Sequence, residues 1–395
     1  MPLVSVIIPT YDRSQVIGDT IQSVLNQTFQ DFEIIVVDDG SIDFTKEVVE
    51  QFKSDKIRYI FQENQGAQVA RNNGMSMTTG KYIAFLDSDD VWLPSFLEEL
   101  LQGFSDKEVG CVYCAKAIKK KNGDIFPVEK RYLSGWVYKE ALEQKYIASP
   151  SFMLVSRECV NKVGNWDVAF SACQDDDFCL RIAKYYKVKY IPKVLALYCE
   201  DYVGSDNRIC KSSRKLAHGG WLLCEKFKED IIKFCGLKVL VLHYLDCARC
   251  FYDAGMSHDA QKAIDSAISC YGSKEKLVYE FEHEIADFMV GEDVFCYGAG
   301  DIGALVADYM NKRGYRFKAF IVSKNNLQTT YLGYPVVPIN DIKKKNCKIV
   351  ISTTETYHEE IEDNIKIQLG DVPIYKMGKD LIDYLRIGFG VLGDD

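Results

Sequence analysis

Over the first hundred positions the apolar residues fall into short continuous runs broken by polar or glycine-containing turns. "VSVII" (4–8), "FEIIVV" (32–37), "IRYIF" (57–61) and "YIAFL" (82–86) each have the length of a buried strand, and between the first two Ile17, Ile21, Val24 and Leu25 recur at helical spacing. Strand and helix alternating through short connections build a mostly parallel sheet with helices on its faces. Ligands of such sheets collect at the carboxyl ends of the strands. Here those ends read "PTYD", "DDGS" and "DSDD".

From about 110 to 200 the pattern is less regular, and "GCVYCAKAIKKKNGDIFPVEK" resembles a hairpin turned at Asn122-Gly123, its lysines forming a solvated turn. From about 211 to 289 the periodicity becomes helical. Within it, "LHYLDCARCFYDAGMSHDAQKAIDSAISCY" reads as a helix pair broken at Gly255, similar to one tetratricopeptide unit, with no second copy at that period. The last stretch returns to strand and helix alternation. The expected organisation is therefore an α/β domain over 1–210, a helical bridge over 211–289, and a small Rossmann-like α/β domain over 290–395.

"DVFCYGAGDIGALVADYM" opens that last domain as strand, glycine turn and helix, with Gly298, Gly300 and Gly303 in GxGxxG spacing. In dinucleotide-binding proteins an acidic residue about 20 positions later holds the ribose. Here the next strand, "FKAFIV", ends in Ser323 and Lys324. The departure weakens a nicotinamide-dinucleotide reading, and close packing of helix on strand is the other use of such glycines.

Composition narrows the class. A chain of 395 residues that is 47% apolar can bury more than one core, and a formal charge of −9 disfavours nucleic acid as a partner. The 14 cysteines are scattered inside apolar patterns, which reads as buried thiols in a reducing cytosol. Cys111/Cys114 and Cys247/Cys250 have CxxC spacing, but neither pair has the second knuckle or neighbouring histidine of a zinc site. The N-terminus lacks a basic leader and no apolar run reaches spanning length, so a cytoplasmic protein is expected, with peripheral attachment at the inner membrane face and homo-oligomerisation left open.

Three carboxylates within four positions, Asp87, Asp89 and Asp90, end the strand 82–86. Asp90, before "VWLPSF", reads as a cap or turn former. Two like charges as close as Asp87 and Asp89 are unfavourable unless a cation neutralises them, and a hard divalent ion takes oxygen ligands from carboxylates, water and substrate phosphates. Arg71, in "NQGAQVARNNG", adds a planar cation on the preceding helix. Together with the acids of "DDGS", these features describe a cleft for a nucleotide diphosphate.

In order and interval, "VSVIIPTYDR", "QTFQDFEIIVVDDGSID", "NQGAQVARNNG" and "GKYIAFLDSDDVWLP" resemble the family 2 glycosyltransferases with the GT-A fold, over roughly residues 3 to 200. The resemblance implies a nucleotide-sugar donor, most often a UDP-sugar, and Mn²⁺ or Mg²⁺. By position it implies that Pro9, Thr10 and Tyr11 line the nucleotide pocket, that Asp38 accepts the uracil imide hydrogen, and that Arg71 lies near base and diphosphate. Asp87 with Ser88 approaches the ribose side of the donor, and Asp89 binds the metal. Asp12 stands where the family often has Asn.

"QDDDFCLR", after "GNWDVAF", resembles the family's acidic segment and makes Asp175 the base that deprotonates the acceptor hydroxyl, with Asp176 and Asp177 favouring a helix N-terminus. Many relatives place a histidine further on, but "LALYCEDYVGSDNRI" has none, so no third protein ligand to the metal is assigned. The implied reaction is an inverting, in-line transfer to a glycan hydroxyl, lipid-linked or protein-bound, in bacterial surface-glycan synthesis. Two rival readings are an oxidoreductase centred on the glycine turn and a non-catalytic scaffold.

Overall fold

The computed structural model describes residues 1–128, 133–144, 147–200, 212–291, 293–322, 330–342, 347–353 and 357–392. The chain divides into two compact units, Met1–Cys235 and Gly236–Asp395.

The first unit opens with β1 (Val4–Thr10), α1 (Ile17–Leu25), β2 (Phe32–Asp38), α2 (Thr45–Glu50), β3 (Ile57–Phe61), α3 (Ala67–Ser76) and β4 (Tyr82–Phe85). These strands pair in parallel in the order β3-β2-β1-β4. β1 is hydrogen-bonded on both sides and all seven of its residues are buried, which is why its sequence is continuously apolar rather than alternating. Val6, Ile8, Ile34, Val36 and Ala84 share one core with Ile17, Ile21 and Val24 of α1. Each large aliphatic side chain so buried contributes about 1.5–3 kcal/mol.

The rest of the unit is β5 (Val91–Trp92), α4 (Phe96–Gln102), β6 (Val109–Lys119), β7 (Ile125–Pro127), α5 (Tyr138–Gln144), β8 (Met153–Ser156), α6 (Arg157–Val163), α7 (Gln174–Tyr185), β9 (Lys187–Cys199) and α8 (Ser213–Phe234). The sheet continues as β4-β8-β6-β9-β5, antiparallel except between β6 and β9. β6 and β9 slip register between Val109 and Cys111 and again around Ala115, and such bulges break the side-chain alternation. That is the physical source of the irregular pattern there. β7 folds back on β6 as the hairpin expected at Asn122-Gly123, with Gly123 at φ 91°.

The second unit begins with α9 (Leu237–Asp253), α10 (Ser257–Tyr271) and α11 (Lys274–Met289). The break between the first two falls at Gly255, whose φ of 72° is the left-handed conformation glycine adopts without strain. β10 (Asp293–Tyr297), α12 (Asp301–Lys312), β11 (Phe320–Val322), β12 (Thr330–Tyr331), β13 (Tyr334–Pro338), β14 (Cys347–Ile351), α13 (His358–Leu369), β15 (Ile374–Lys376) and α14 (Lys379–Leu392) follow. Strands β13-β11-β10-β14-β15 are parallel in that order, with β10, the first of them along the chain, lying centrally, and β12 pairs antiparallel at one edge.

Buried Glu282 accepts hydrogen bonds from Tyr309, Tyr384 and Arg313, joining α11 to α12 and α14. Helices of 211–289 are thus shared out: α8 lies in the first unit and α9–α11 in the second. Among the described residues no helix is long and apolar enough to cross a membrane. Cys111, Cys114, Cys159 and Cys179 are buried and unbridged.

Candidate functional site

The carboxyl ends of β1, β2 and β4 lie side by side, with Thr10 opposite Asp38 in the ladder. Pro9 and Thr10 are buried, Tyr11 is exposed, and the Thr10 carbonyl accepts from the Asp39 amide at 2.8 Å. Asp38 differs from expectation. It is 0% exposed, with one oxygen accepting from the Ser41 amide at 2.8 Å and the other from the Tyr59 hydroxyl at 2.7 Å. Each oxygen therefore already serves one donor, and through the Ser41 amide the carboxylate fixes the turn after β2. Beside it Asp39 is tied to Gln62, Gln65 and Gly66.

α3 carries Arg71 over the sheet because Gly74 lets the helix backbone come close; a methyl group there would sit 2.6 Å from Ile7 Cγ2. The Arg71 guanidinium is not an open cation. It is 3% exposed, pairs with Asp87 at 2.6 Å and lies 5.0 Å from the Trp166 ring centre. Trp166 is held in turn by a reciprocal pair of hydrogen bonds with the Asn72 side chain, each 2.9 Å, and stacks on Phe178 of α7.

The acidic turn after β4 is fastened from both sides. Thr20 of α1 donates to the carbonyls of Ser88 and Asp90, and the Asp87 amide donates to Ser151 Oγ. Ser88 is buried, Asp87 and Asp89 are half-buried, and Asp90 is 1% exposed. Asp90 is therefore more than a surface cap. Burial first, then the charges of Asp89 and Asp87, push its carboxyl well above the usual range. Asp87, Asp89 and Asp90 place three carboxylates on one turn, and oxygen donors of this kind fit Mg²⁺ or Mn²⁺. Among the described residues no group of three or more His, Cys, Asp or Glu side chains is arranged as a metal cage. Asp89 would hold the ion, with water and donor phosphate supplying further oxygens.

Asp175 sits in the first turn of α7, close enough to Arg71 and Asp87 for both to act on its titration. Desolvation pushes its carboxyl upward, Arg71 opposes this, and Asp87 reinforces it. The structure thus brings Asp175, Arg71 and Asp87 together across α7, α3 and the β4 turn. Asp177 departs from the expectation of a simple helix-end charge. It is 0% exposed and bonds Arg181 at 2.7 Å and Lys226 of α8 at 2.6 Å. Residues 201–211, which hold most of the histidine-free stretch, lie outside the described residues.

Several buried polar atoms near these residues have no hydrogen-bond partner: Thr10 Oγ1, Arg71 Nε and Nη1, Trp166 Nε1 and Gln174 Oε1. Such atoms are expensive to leave unsatisfied and are rare in folded proteins. Gln174 directly precedes Asp175 on α7, and Arg71 lies on α3, where its guanidinium pairs with Asp87. Trp166, Asn72 and Ser151 escaped the sequence reading, and the aromatic inside "GNWDVAF" was the available signal for the first of them.

The glycine turn after β10 is built differently. A methyl group on Gly303 would sit 2.1 Å from the Gly298 carbonyl oxygen, so this position serves close helix-on-strand packing. Ser352 donates to the Tyr297 and Gly298 carbonyls, and the Tyr331 hydroxyl donates to that of Gly300. Ser323 and Lys324 lie outside the described residues.

Residues 5–164 match the model of the glycosyl transferase family 2. This segment belongs to that family. The α/β unit around it, with its mixed and mostly parallel sheet, has the GT-A character of the family. The chain is 34% identical over 158 residues to a putative teichuronic acid biosynthesis glycosyltransferase of Bacillus subtilis, covering 39% of this chain and 62% of that protein. It is 42% identical over 106 residues to a GalNAc(5)-diNAcBac-PP-undecaprenol beta-1,3-glucosyltransferase of Campylobacter jejuni, covering 26% of this chain and 34% of that one. An uncharacterised glycosyltransferase of Rickettsia felis is 39% identical over 152 residues, or 38% of this chain and 25% of that protein. The chain thus spans between a quarter and three-fifths of these relatives' length. Among solved structures, S. aureus TarS aligns at TM-score 0.49 and 16% identity, covering 67% of this chain and 53% of that one.

Proposed function

We propose that the first unit transfers a sugar from a nucleotide-diphosphate donor, a UDP-sugar by family resemblance, to a hydroxyl of a bacterial surface glycan, with inversion at the anomeric carbon. The observation that carries this reading is the coincidence of unsatisfied buried polar atoms with crowded carboxylates at one sheet edge. Unpaired groups of this kind are open to a polar ligand or an ordered water. The names of the Bacillus and Campylobacter relatives support a cell-surface glycan, the second of them pointing to an undecaprenol-linked acceptor.

In this proposal Pro9, Thr10 and Tyr11 face the nucleotide, and Asp38 keeps the adjoining turn in shape. Arg71 fixes Asp87 beside the donor and keeps its Nε and Nη1 nitrogens for the donor's oxygens, while Ser88 holds the turn between the two acids. Asp175 takes the proton of the acceptor hydroxyl as that oxygen bonds to the anomeric carbon. The bond from that carbon to the diphosphate oxygen breaks, and the nucleoside diphosphate leaves with the electron pair. A divalent cation on Asp89, when bound, supplies positive charge for the departing phosphate oxygens. Holding both substrates in one cleft makes orientation a large part of the rate.

The test is a panel of UDP-glucose, UDP-galactose, UDP-N-acetylglucosamine, UDP-N-acetylgalactosamine and GDP-mannose with Mn²⁺, following donor hydrolysis. Metal-dependent release of nucleoside diphosphate from one of them is the expected result. No release and no calorimetric nucleotide binding would end the proposal.

A further inference from the structure

The helix α8 lies beyond the segment matched by the family, yet it grips the acidic segment at several points. Lys226 reaches two carboxylates on either side of the turn that leads into α7: the buried Asp177 at 2.6 Å and Asp167 at 2.7 Å. Its ammonium also lies 5.2 Å from the Phe170 ring centre. One helical stretch earlier, Gly219 packs against the same turn, and a methyl group there would sit 2.5 Å from the Ala172 carbonyl oxygen. Cys173, which follows, holds φ at 59°, a left-handed conformation unfavourable for a residue with a side chain. Strain of that kind persists only where surrounding contacts over-determine the backbone.

The opposite side of the turn is held by α3. Gln68 Nε2 donates to the Phe170 carbonyl at 2.6 Å, and Asn72 clamps Trp166. The segment from Trp166 to Cys173 is therefore fixed between α3, which carries Arg71, and α8, which carries Lys226. Asp175 follows it by two residues.

We propose that Lys226 is a positioning residue for transfer: by bridging Asp167 and Asp177 it sets the strained turn that aims the Asp175 carboxylate at the acceptor. It touches neither donor nor acceptor. Lys226 and Asp167 are each about one-third exposed and only Asp177 is fully buried, so the bridge fastens a buried carboxylate to a helix at the surface. α8 is then part of the transfer apparatus and not a packing element alone. The proposal rests on the reading of Asp175 as the base.

A second tie between the same two helices provides the control. Lys184, near the other end of α7, pairs with Asp230 of α8 at 2.5 Å, and Asp230 also accepts from the Tyr138 hydroxyl. Lys184→Met removes a tie between α7 and α8 without touching the turn before Asp175.

The full chain and its Lys226→Met, Lys226→Arg, Lys184→Met and Asp175→Asn variants would be compared with Mn²⁺ and whichever donor of the panel the parent hydrolyses fastest. Turnover, calorimetric UDP affinity and melting temperature are measured for each. Lys226→Met should lose about tenfold or more in turnover with UDP affinity within about threefold of the parent, the scale expected when a misplaced group loses alignment. Lys226→Arg should recover most of that loss, and Lys184→Met should keep parent turnover even if its melting temperature falls as far as that of Lys226→Met. Equal turnover losses in Lys226→Met and Lys184→Met, or parent turnover in Lys226→Met, would overturn the proposal while leaving the base in place. Parent turnover in Asp175→Asn would remove the base itself, and the positioning role with it.

Discussion

At the carboxyl end of β4, three carboxylates share one turn and nearby buried atoms of Thr10, Arg71, Trp166 and Gln174 lack partners. At the carboxyl end of β10, a glycine turn of more familiar spacing has Ser352 and Tyr331 bonded to its carbonyls and Gly303 packed hard against Gly298. Both follow strands that pair in parallel with a neighbour, β4 with β1 and β10 with β11 and β14, and ligands are expected at the carboxyl ends of such strands. The first holds charge and hydrogen-bonding capacity that the fold does not use. The second spends much of its own on closing the turn. Close packing accounts for Gly303, whereas crowded acids beside buried donors and acceptors without protein partners leave room for a polar ligand.

The sharpest way to break the comparison is Asp175→Asn. The amide keeps the shape but cannot take the acceptor's proton, so turnover should fall about 10²–10⁴-fold. The pH profile checks the same residue. Desolvation raises the Asp175 carboxyl above its ordinary 3.8, and only the deprotonated form is a base. Turnover should therefore be full on the alkaline side and be lost as pH falls through a value above 3.8, a limb that the Asn variant lacks. A limb at or below that value would contradict the enclosed setting of the group.

Asp89→Ala comes next. Removing the ligand leaves the diphosphate charge without its counter-ion, and turnover should drop about 10²–10³-fold together with nucleotide affinity. Full activity of the parent protein in EDTA would remove the metal from the account.

Changes in the second unit should be smaller and of another kind. Gly303→Ala forces a methyl group against the Gly298 carbonyl and should destabilise that unit by about 1–3 kcal/mol, read as a lowered melting transition with donor hydrolysis unchanged. Gly300→Ala meets nothing within 4 Å, and its effect should stay within about 0.5 kcal/mol. If Gly300→Ala abolished nucleotide binding, the glycine turn would have to be counted as a ligand site.

How much of this could be read in the sequence follows from what each feature depends on. β1, β2 and β4 were legible because inner strands of a parallel sheet form short buried apolar runs, and the helix break at Gly255 was legible because local backbone chemistry sets it. The region around β6 and β9 was not, because bulges shift the inward face along a strand. Asp175, Asp87 and Asp89 could be picked out by motif. The enclosure of Asp38 could not, since it depends on Tyr59 arriving from the neighbouring strand β3. Nor could the burial of Asp177, whose partner Lys226 comes from a helix far along the chain.

The measurement that bears most directly on the contrast between the two turns is hydrogen–deuterium exchange of the full chain with and without UDP and Mn²⁺. Protection is predicted in peptides containing Thr10 to Asp12 and Leu86 to Asp90, with those containing Tyr297 to Gly303 unchanged. Protection confined to Tyr297 to Gly303 would contradict the account and move the nucleotide to the second unit.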